Sequence, residues 1–113
     1  MLTIALIVFA VAAVGGLVLA LHVLRGKFAP WPLSLLHAAL GATGLILLLL
    51  AVLQGLAGSL AAWALGLFVV AALGGFYLAS LHRRQVLPPK GVVVLHALLA
   101  VSGFGFLLAV VLR

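Results

Sequence analysis

Four histidines carry most of the chemistry that this sequence could perform. The chain has 113 residues and contains four His, no Cys, no Asp and no Glu. The histidines are His22, His37, His82 and His96. The missing carboxylates exclude paired-carboxylate catalysis, and the missing thiols exclude disulfides and Cys-ligated zinc or iron–sulfur clusters. What remains is imidazole, a common ligand of metals.

A glycine lies seven residues from each histidine, always toward the centre of the apolar segment. The pairs are Gly15 with His22, Gly44 with His37, Gly75 with His82, and Gly103 with His96. In a helix, seven residues make about two turns, so each glycine shares its histidine's face and lies about 10.5 Å deeper. This pattern is typical of a slot for a flat macrocycle bound through the imidazole. The alternative is that the glycines serve only close helix packing.

Haem b fits the pattern better than a compact metal ion. Four imidazoles could hold Zn²⁺ or Cu²⁺, but neither ion needs a glycine slot two turns away. Haem b needs two axial imidazoles and a flat cavity, and its propionates are anionic. Arg25, Arg83 and Arg84 lie near the histidines with no acidic side chain to pair with, so we expect them to bind the propionates. Chlorophyll-type pigments, which also take one histidine each, are a further alternative.

Four apolar segments must position these histidines. We predict helices at Leu2–Leu24, Leu33–Leu53, Leu60–Leu81 and Val92–Leu112. Each has about 21–23 residues, enough to cross a bilayer core of about 30 Å. The sequence therefore predicts an all-α membrane protein, with residues 1–113 forming a single transmembrane domain, a four-transmembrane-helix bundle. In an antiparallel bundle, all four histidines would lie in one layer near one membrane surface.

The distribution of charge predicts the orientation. Five of the six cations lie in the first and third connections, and only Arg113 lies at the opposite end. The positive-inside rule places those connections in the cytoplasm and both termini outside, and we expect a bacterial inner membrane. The middle connection, residues 54–59, is short and uncharged. Too few residues lie outside the apolar segments for nucleic-acid binding.

The chain also contains an internal repeat. Residues 1–54 align with residues 60–113 without a gap, with 21 identities in 54 pairs. The identities include Gly15 with Gly74, Gly16 with Gly75, Pro30 with Pro89, and His37 with His96. We therefore predict two duplicated two-helix hairpins related by a pseudo-twofold axis along the membrane normal. His22 and His82 lie 60 residues apart and so miss the repeat by one residue.

In these features the chain resembles the transmembrane four-helix b-type cytochromes, in which histidines of a four-helix bundle ligate haem and glycines make room for it. The resemblance rests on the four histidines and their glycines and covers the whole chain in architecture. It implies electron transfer, with either a quinone or a redox protein as the partner. Members of those families often stack two haems across the bilayer, whereas here one half of the predicted bundle contains no histidine.

The sequence leaves several functions open. We expect an electron carrier rather than a stand-alone enzyme, with two bis-histidine haems favoured over one, because two would use all four histidines. The alternative is a non-catalytic accessory or anchor subunit of a larger respiratory or photosynthetic complex, or a homo-oligomer, in the lipid bilayer. A transporter is less consistent, because an inverted repeat and a charged coupling site are both missing.

Overall fold

A computed structural model describes residues 1–55 and 58–113, and it contains four helices in this part of the chain. They are α1 (Leu2–Leu24), α2 (Trp31–Leu53), α3 (Gly58–Arg83) and α4 (Lys90–Leu112). Both α1 and α3 pack against α2 and α4, so that α2 and α4 occupy opposite corners. The prediction of an all-α four-helix bundle is confirmed. The centre of the middle connection, Leu56 and Ala57, lies outside the described residues.

Three helices extend beyond the predicted apolar segments. Both α2 and α4 begin two residues early, and α3 is two residues longer at each end. Pro30 and Pro89 are the N-caps of α2 and α4, and both have φ −57° and ψ 133°. The chain enters the helix directly after each proline, so Trp31 and Lys90 are helical although they precede the apolar run. Hydropathy marks the lipid-facing part of a helix, which is shorter than its hydrogen-bonded part.

The outside of the bundle is apolar. All four helices are long and apolar enough to cross a membrane. Large apolar side chains such as Ile7, Leu73 and Leu98 are exposed on the outer surface. A water-soluble bundle would place polar residues there, whereas lipid tails solvate apolar ones. The arrangement is compatible with an integral membrane protein.

Small residues and two aromatic rings form the centre of the bundle. Ala5, Ala61 and Ala64 are fully buried, and side chains of this size let helix backbones approach closely. Phe9 of α1 and Phe68 of α3 meet between them as a parallel stack, with ring centroids 3.8 Å apart. The histidines lie between this stack and the end of the bundle that contains the first and third connections, which we call the cation-rich end.

Candidate histidine site

His37 and His96, the inner pair, face each other inside the bundle. They lie in the second turns of α2 and α4, and both side chains are half-buried. Their ring centroids are 6.3 Å apart, and the ring planes are inclined at 79°. Because α2 and α4 occupy opposite corners, these two side chains meet across the middle of the bundle. The structure thus brings together two of the four predicted ligands.

Both inner histidines donate a hydrogen bond to the backbone of a neighbouring helix. The Nδ1 of His37 lies 2.8 Å from the carbonyl oxygen of Ala12, and the Nδ1 of His96 lies 2.8 Å from that of Ala71. A carbonyl oxygen can only accept, so Nδ1 carries the proton in both rings. Each ring therefore keeps its lone pair on Nε2. In metal-binding histidines, a hydrogen bond from the ring nitrogen that does not bind the metal commonly orients the imidazole.

Glycines allow the inner rings to lie directly against α1 and α3. A Cβ atom at Gly16 would lie 2.8 Å from Cε1 of His37, and one at Gly75 would lie 3.2 Å from Cε1 of His96. Real Cβ atoms rarely approach another atom this closely, so a larger residue at either position must displace the ring. The neighbouring glycines make only ordinary contacts with the same histidines: a Cβ atom at Gly74 would lie 3.8 Å from Nδ1 of His96, and one at Gly15 would lie 4.0 Å from Cβ of His37.

The glycine pairing predicted from the sequence differs from these contacts. The seven-residue spacing pairs Gly75 with His82 and Gly15 with His22, whereas in the structure Gly75 faces His96 of α4, and Gly15 faces Leu33 and His37 of α2. Gly16, which faces His37, was not assigned to any histidine. Its signal in the sequence is the repeat itself, because the Gly15–Gly16 pair recurs as Gly74–Gly75. The repeat therefore pointed to the right glycines more directly than the seven-residue spacing did.

Phenylalanine rings fill the space beside the other two predicted glycines. A Cβ atom at Gly44 would lie 2.9 Å from the ring of Phe9, and one at Gly103 would lie 3.2 Å from the ring of Phe68. Both rings are buried and belong to the parallel stack at the bundle centre. The notches on the faces of His37 and His96 are thus occupied by side chains of the protein. Sequence reasoning missed both phenylalanines.

His82 is held by the first connection. Its Nε2 lies 2.9 Å from the carbonyl oxygen of Ala29, to which it must donate, so its Nδ1 accepts the Ser34 hydroxyl proton at 2.6 Å. The Phe28 ring stacks on the imidazole at 5.7 Å between centroids, and Trp31 meets it edge-on at 5.1 Å. Both ring nitrogens are occupied. His82 therefore fastens the end of α3 to the start of α2.

His22 has a different environment. Its Nδ1 lies 2.8 Å from the carbonyl oxygen of Val18, one turn back in the same helix. The ring lines an open groove of about 290 Å³ that also contains Leu21, Arg25 and Lys27. Among the described contacts, none joins His22 to His82. The structure does not bring these two histidines, the outer pair, together as a second ligand pair.

The predicted propionate ligands lie at the cation-rich end. Arg25, Arg83 and Arg84 are all exposed, as are Lys27 and Lys90. The sequence contains no acidic side chain, so none of these cations has a carboxylate side chain to pair with. Arg83 and Arg84 line a groove on the outer surface, apart from the inner histidine pair. This end of the bundle has a strong, uncompensated positive charge.

Comparison with known proteins adds no family to this description. No protein-family model, no curated protein and no solved structure matches the chain.

Proposed function

We propose that the protein binds one haem b between His37 and His96 in the membrane and carries electrons. The observation that carries this proposal is the inner pair itself. Two imidazoles that held one iron through their Nε2 atoms, at about 2 Å from each, would have ring centroids roughly 6 Å apart. The inner pair has its centroids 6.3 Å apart. Bound there, the haem iron would supply reversible one-electron transfer.

The donor set favours a haem over a bare metal ion. The inner pair offers two imidazoles whose Nδ1 atoms donate to the Ala12 and Ala71 carbonyl oxygens, which leaves Nε2 for a ligand. Structural Zn²⁺ takes four protein ligands, and the chain has no thiolate or carboxylate side chain to complete such a set. A haem would supply the remaining ligands of its own iron, and His37 and His96 would hold it through their imidazoles. The chain would thus contribute only what the inner pair already offers.

The structure favours one haem over two. His82 uses both ring nitrogens in contacts with Ser34 and Ala29, and His22 lies in a groove on α1. One haem at the inner pair leaves both of these histidines in their present roles. Its propionates would face the cation-rich end, where Arg25 and four other cations lie.

Binding would require the aromatic stack to yield space. Phe9 and Phe68 now fill the notches at Gly44 and Gly103, on the same helix faces as the two histidines. This filled core is the one observation that favours the second candidate, an accessory or anchor subunit without a cofactor. In that case the inner histidines would only tie α2 to α1 and α4 to α3 through their backbone hydrogen bonds.

The two candidates differ in colour. The test is the absorption spectrum of the protein purified from haem-replete cells, before and after reduction with dithionite. The haem proposal predicts a Soret band, sharp visible bands on reduction and about one haem per chain. A preparation that is colourless as purified, and that leaves the spectrum of added haemin unchanged, would support the accessory role and overturn the proposal.

We further propose that the two hairpins are duplicated copies and that the cation-rich end faces the cytoplasm of a bacterial cell. The equivalent contacts of His37 and His96, with partners also 59 residues apart, support the duplication. The positive-inside rule supports the orientation. Since the chain has no cysteine, single cysteines can be introduced at Lys27 and Gln85. A membrane-impermeant maleimide added to intact spheroplasts should fail to label them, and labelling there would reverse the orientation.

A further inference from the structure

A groove with aromatic walls and two arginines lies on the outer surface at the cation-rich end. It has a volume of about 430 Å³, and its lining comprises Trp31, Phe76, Ala79, Ser80, Arg83 and Arg84. Along α3 it extends from Phe76 to Arg84, a distance of about 12 Å. The groove is therefore apolar toward the membrane interior and cationic toward the connections.

Two side chains of the groove, Trp31 and Arg84, have further contacts within the protein. Trp31 packs edge-on against His82, which is itself fixed by Ser34 and by the Ala29 carbonyl oxygen. Arg84 donates from Nε to the carbonyl oxygen of Ser80 at 3.3 Å. A site whose walls are already ordered loses less conformational entropy when a ligand binds.

The groove is positively charged and would bind an anion that comes from outside the protein. The chain has no acidic side chain, so Arg83 and Arg84 have no carboxylate side chain to pair with. The planar guanidinium group matches a phosphate with two parallel hydrogen bonds. Basic pockets at the cytoplasmic ends of membrane helices commonly bind lipid head groups.

We propose that this groove binds an anionic phospholipid, with its phosphate on Arg83 and Arg84 and an acyl chain along Phe76. The aromatic wall distinguishes a lipid from free phosphate, since phosphate alone would need only the two arginines. Phe76 is 70% exposed, so it offers most of its ring to such a chain. The groove shares no residue with the inner pair, so substitutions at Arg83 and Arg84 leave both proposed haem ligands, His37 and His96, in place.

The test is a titration of the full-length protein in detergent with phosphatidylglycerol or phosphatidylcholine, followed by native mass spectrometry. Arg83→Gln combined with Arg84→Gln should weaken phosphatidylglycerol binding by about tenfold or more, through loss of charge-assisted hydrogen bonds. Arg25→Gln combined with Lys27→Gln removes the same charge from the same end. This matched control should change binding by less than about threefold at 150 mM salt, because distant exposed charges are screened.

A second pair of variants tests the apolar wall. Phe76→Ala should weaken phosphatidylglycerol binding, whereas Val70→Ala, at an exposed residue on a different face of α3, should not. Millimolar inorganic phosphate should not displace the lipid. All variants should retain the elution volume and helical circular dichroism of the parent protein, which separates loss of the site from loss of the fold.

Three results would overturn the proposal. Equal weakening by the two double variants would mean a diffuse positive field rather than a site. Displacement by inorganic phosphate together with no effect of Phe76→Ala would mean an anion site without a lipid. No preference for phosphatidylglycerol over phosphatidylcholine would mean that the two arginines do not select the head group. None of these variants changes His37 or His96, so the absorption spectrum of the parent protein tests the haem proposal separately.

Discussion

The inner and outer histidine pairs differ in how their environments repeat along the chain. His37 and His96 are 59 residues apart, and they have the same contacts: a carbonyl oxygen at 2.8 Å and a glycine of the neighbouring helix against the ring. His82 contacts four groups around the first connection, whereas His22 bonds only to its own helix. The two histidines of the inner pair therefore have equivalent surroundings, whereas the two histidines of the outer pair do not.

The sequence offset explains the difference. With an offset of 59, the counterpart of His82 is Val23, and the counterpart of Ser34 is Val93. The polar contact between the end of α3 and the start of α2 therefore corresponds to two valines on α1 and α4. His82 with Ser34 is a property of one interface only. Each hairpin contributes one histidine of the inner pair, with the same contacts. For this reason we assign the proposed haem ligands to the inner pair.

The largest loss of stability is expected where a side chain is added at Gly44 or Gly103, the glycines that lie against Phe9 and Phe68. Gly44→Leu and Gly103→Leu must displace Phe9 and Phe68, which are buried and stacked on each other. We expect each substitution to lower the free energy of unfolding by about 3 kcal/mol, the upper end for overpacked cores. The measurement is reversible unfolding in mixed micelles, followed by circular dichroism.

Gly41→Leu and Gly105→Leu are the matched controls, on the same two helices. A Cβ atom at either position would meet nothing within 4 Å. We expect changes within about 0.5 kcal/mol, as for other substitutions away from packed groups. If all four variants were equally destabilised, the notches at Gly44 and Gly103 would have no special role in packing.

A smaller effect should separate the two outer histidines. His82→Ala removes both hydrogen bonds of the ring and leaves the Ser34 hydroxyl and the Ala29 carbonyl oxygen without this partner. We expect a loss of about 2 kcal/mol, because unsatisfied polar groups are costly near the membrane. His22→Ala should change the free energy of unfolding by less than about 0.5 kcal/mol. Equal losses in the same unfolding assay would remove the distinction between His22 and His82.

The smallest expected change in stability comes from transferring the His82–Ser34 contact to the other helix interface. Val23→His combined with Val93→Ser places the His82–Ser34 pair at the equivalent positions of the other interface. Val23→His alone should destabilise the protein, and Val93→Ser should recover about 1 kcal/mol of that loss in a double-mutant cycle. The measurement is the same unfolding assay on the four proteins of the cycle. A coupling energy near zero would mean that the two interfaces differ in geometry as well as in sequence.

The sequence predicts the helices well because their signal is local. α1 spans the predicted residues, and the other helices differ from prediction only near their ends. At α2 and α4, proline caps rather than hydropathy set the start. The layer of histidines at one end also follows from the helix order. These features depend on residues that are close together in the chain.

The partners of each histidine could not be predicted, because they depend on the register between helices. The seven-residue spacing relates Gly75 to His82 on one helix, whereas the structure places Gly75 against His96 on the antiparallel neighbour. Phe9 and Phe68 were missed because an aromatic residue within an apolar segment shows no contrast with its surroundings. Only their recurrence 59 residues apart distinguishes them.

The most direct test of the central claim is the haem-to-protein ratio of four single variants, purified from the same haem-replete cells. We predict that His37→Ala and His96→Ala each lose the haem, because each removes one of the two proposed ligands. His22→Ala and His82→Ala should keep about one haem per folded chain. A wild-type ratio near two, with about half lost in His22→Ala, would contradict the assignment of a single haem to His37 and His96.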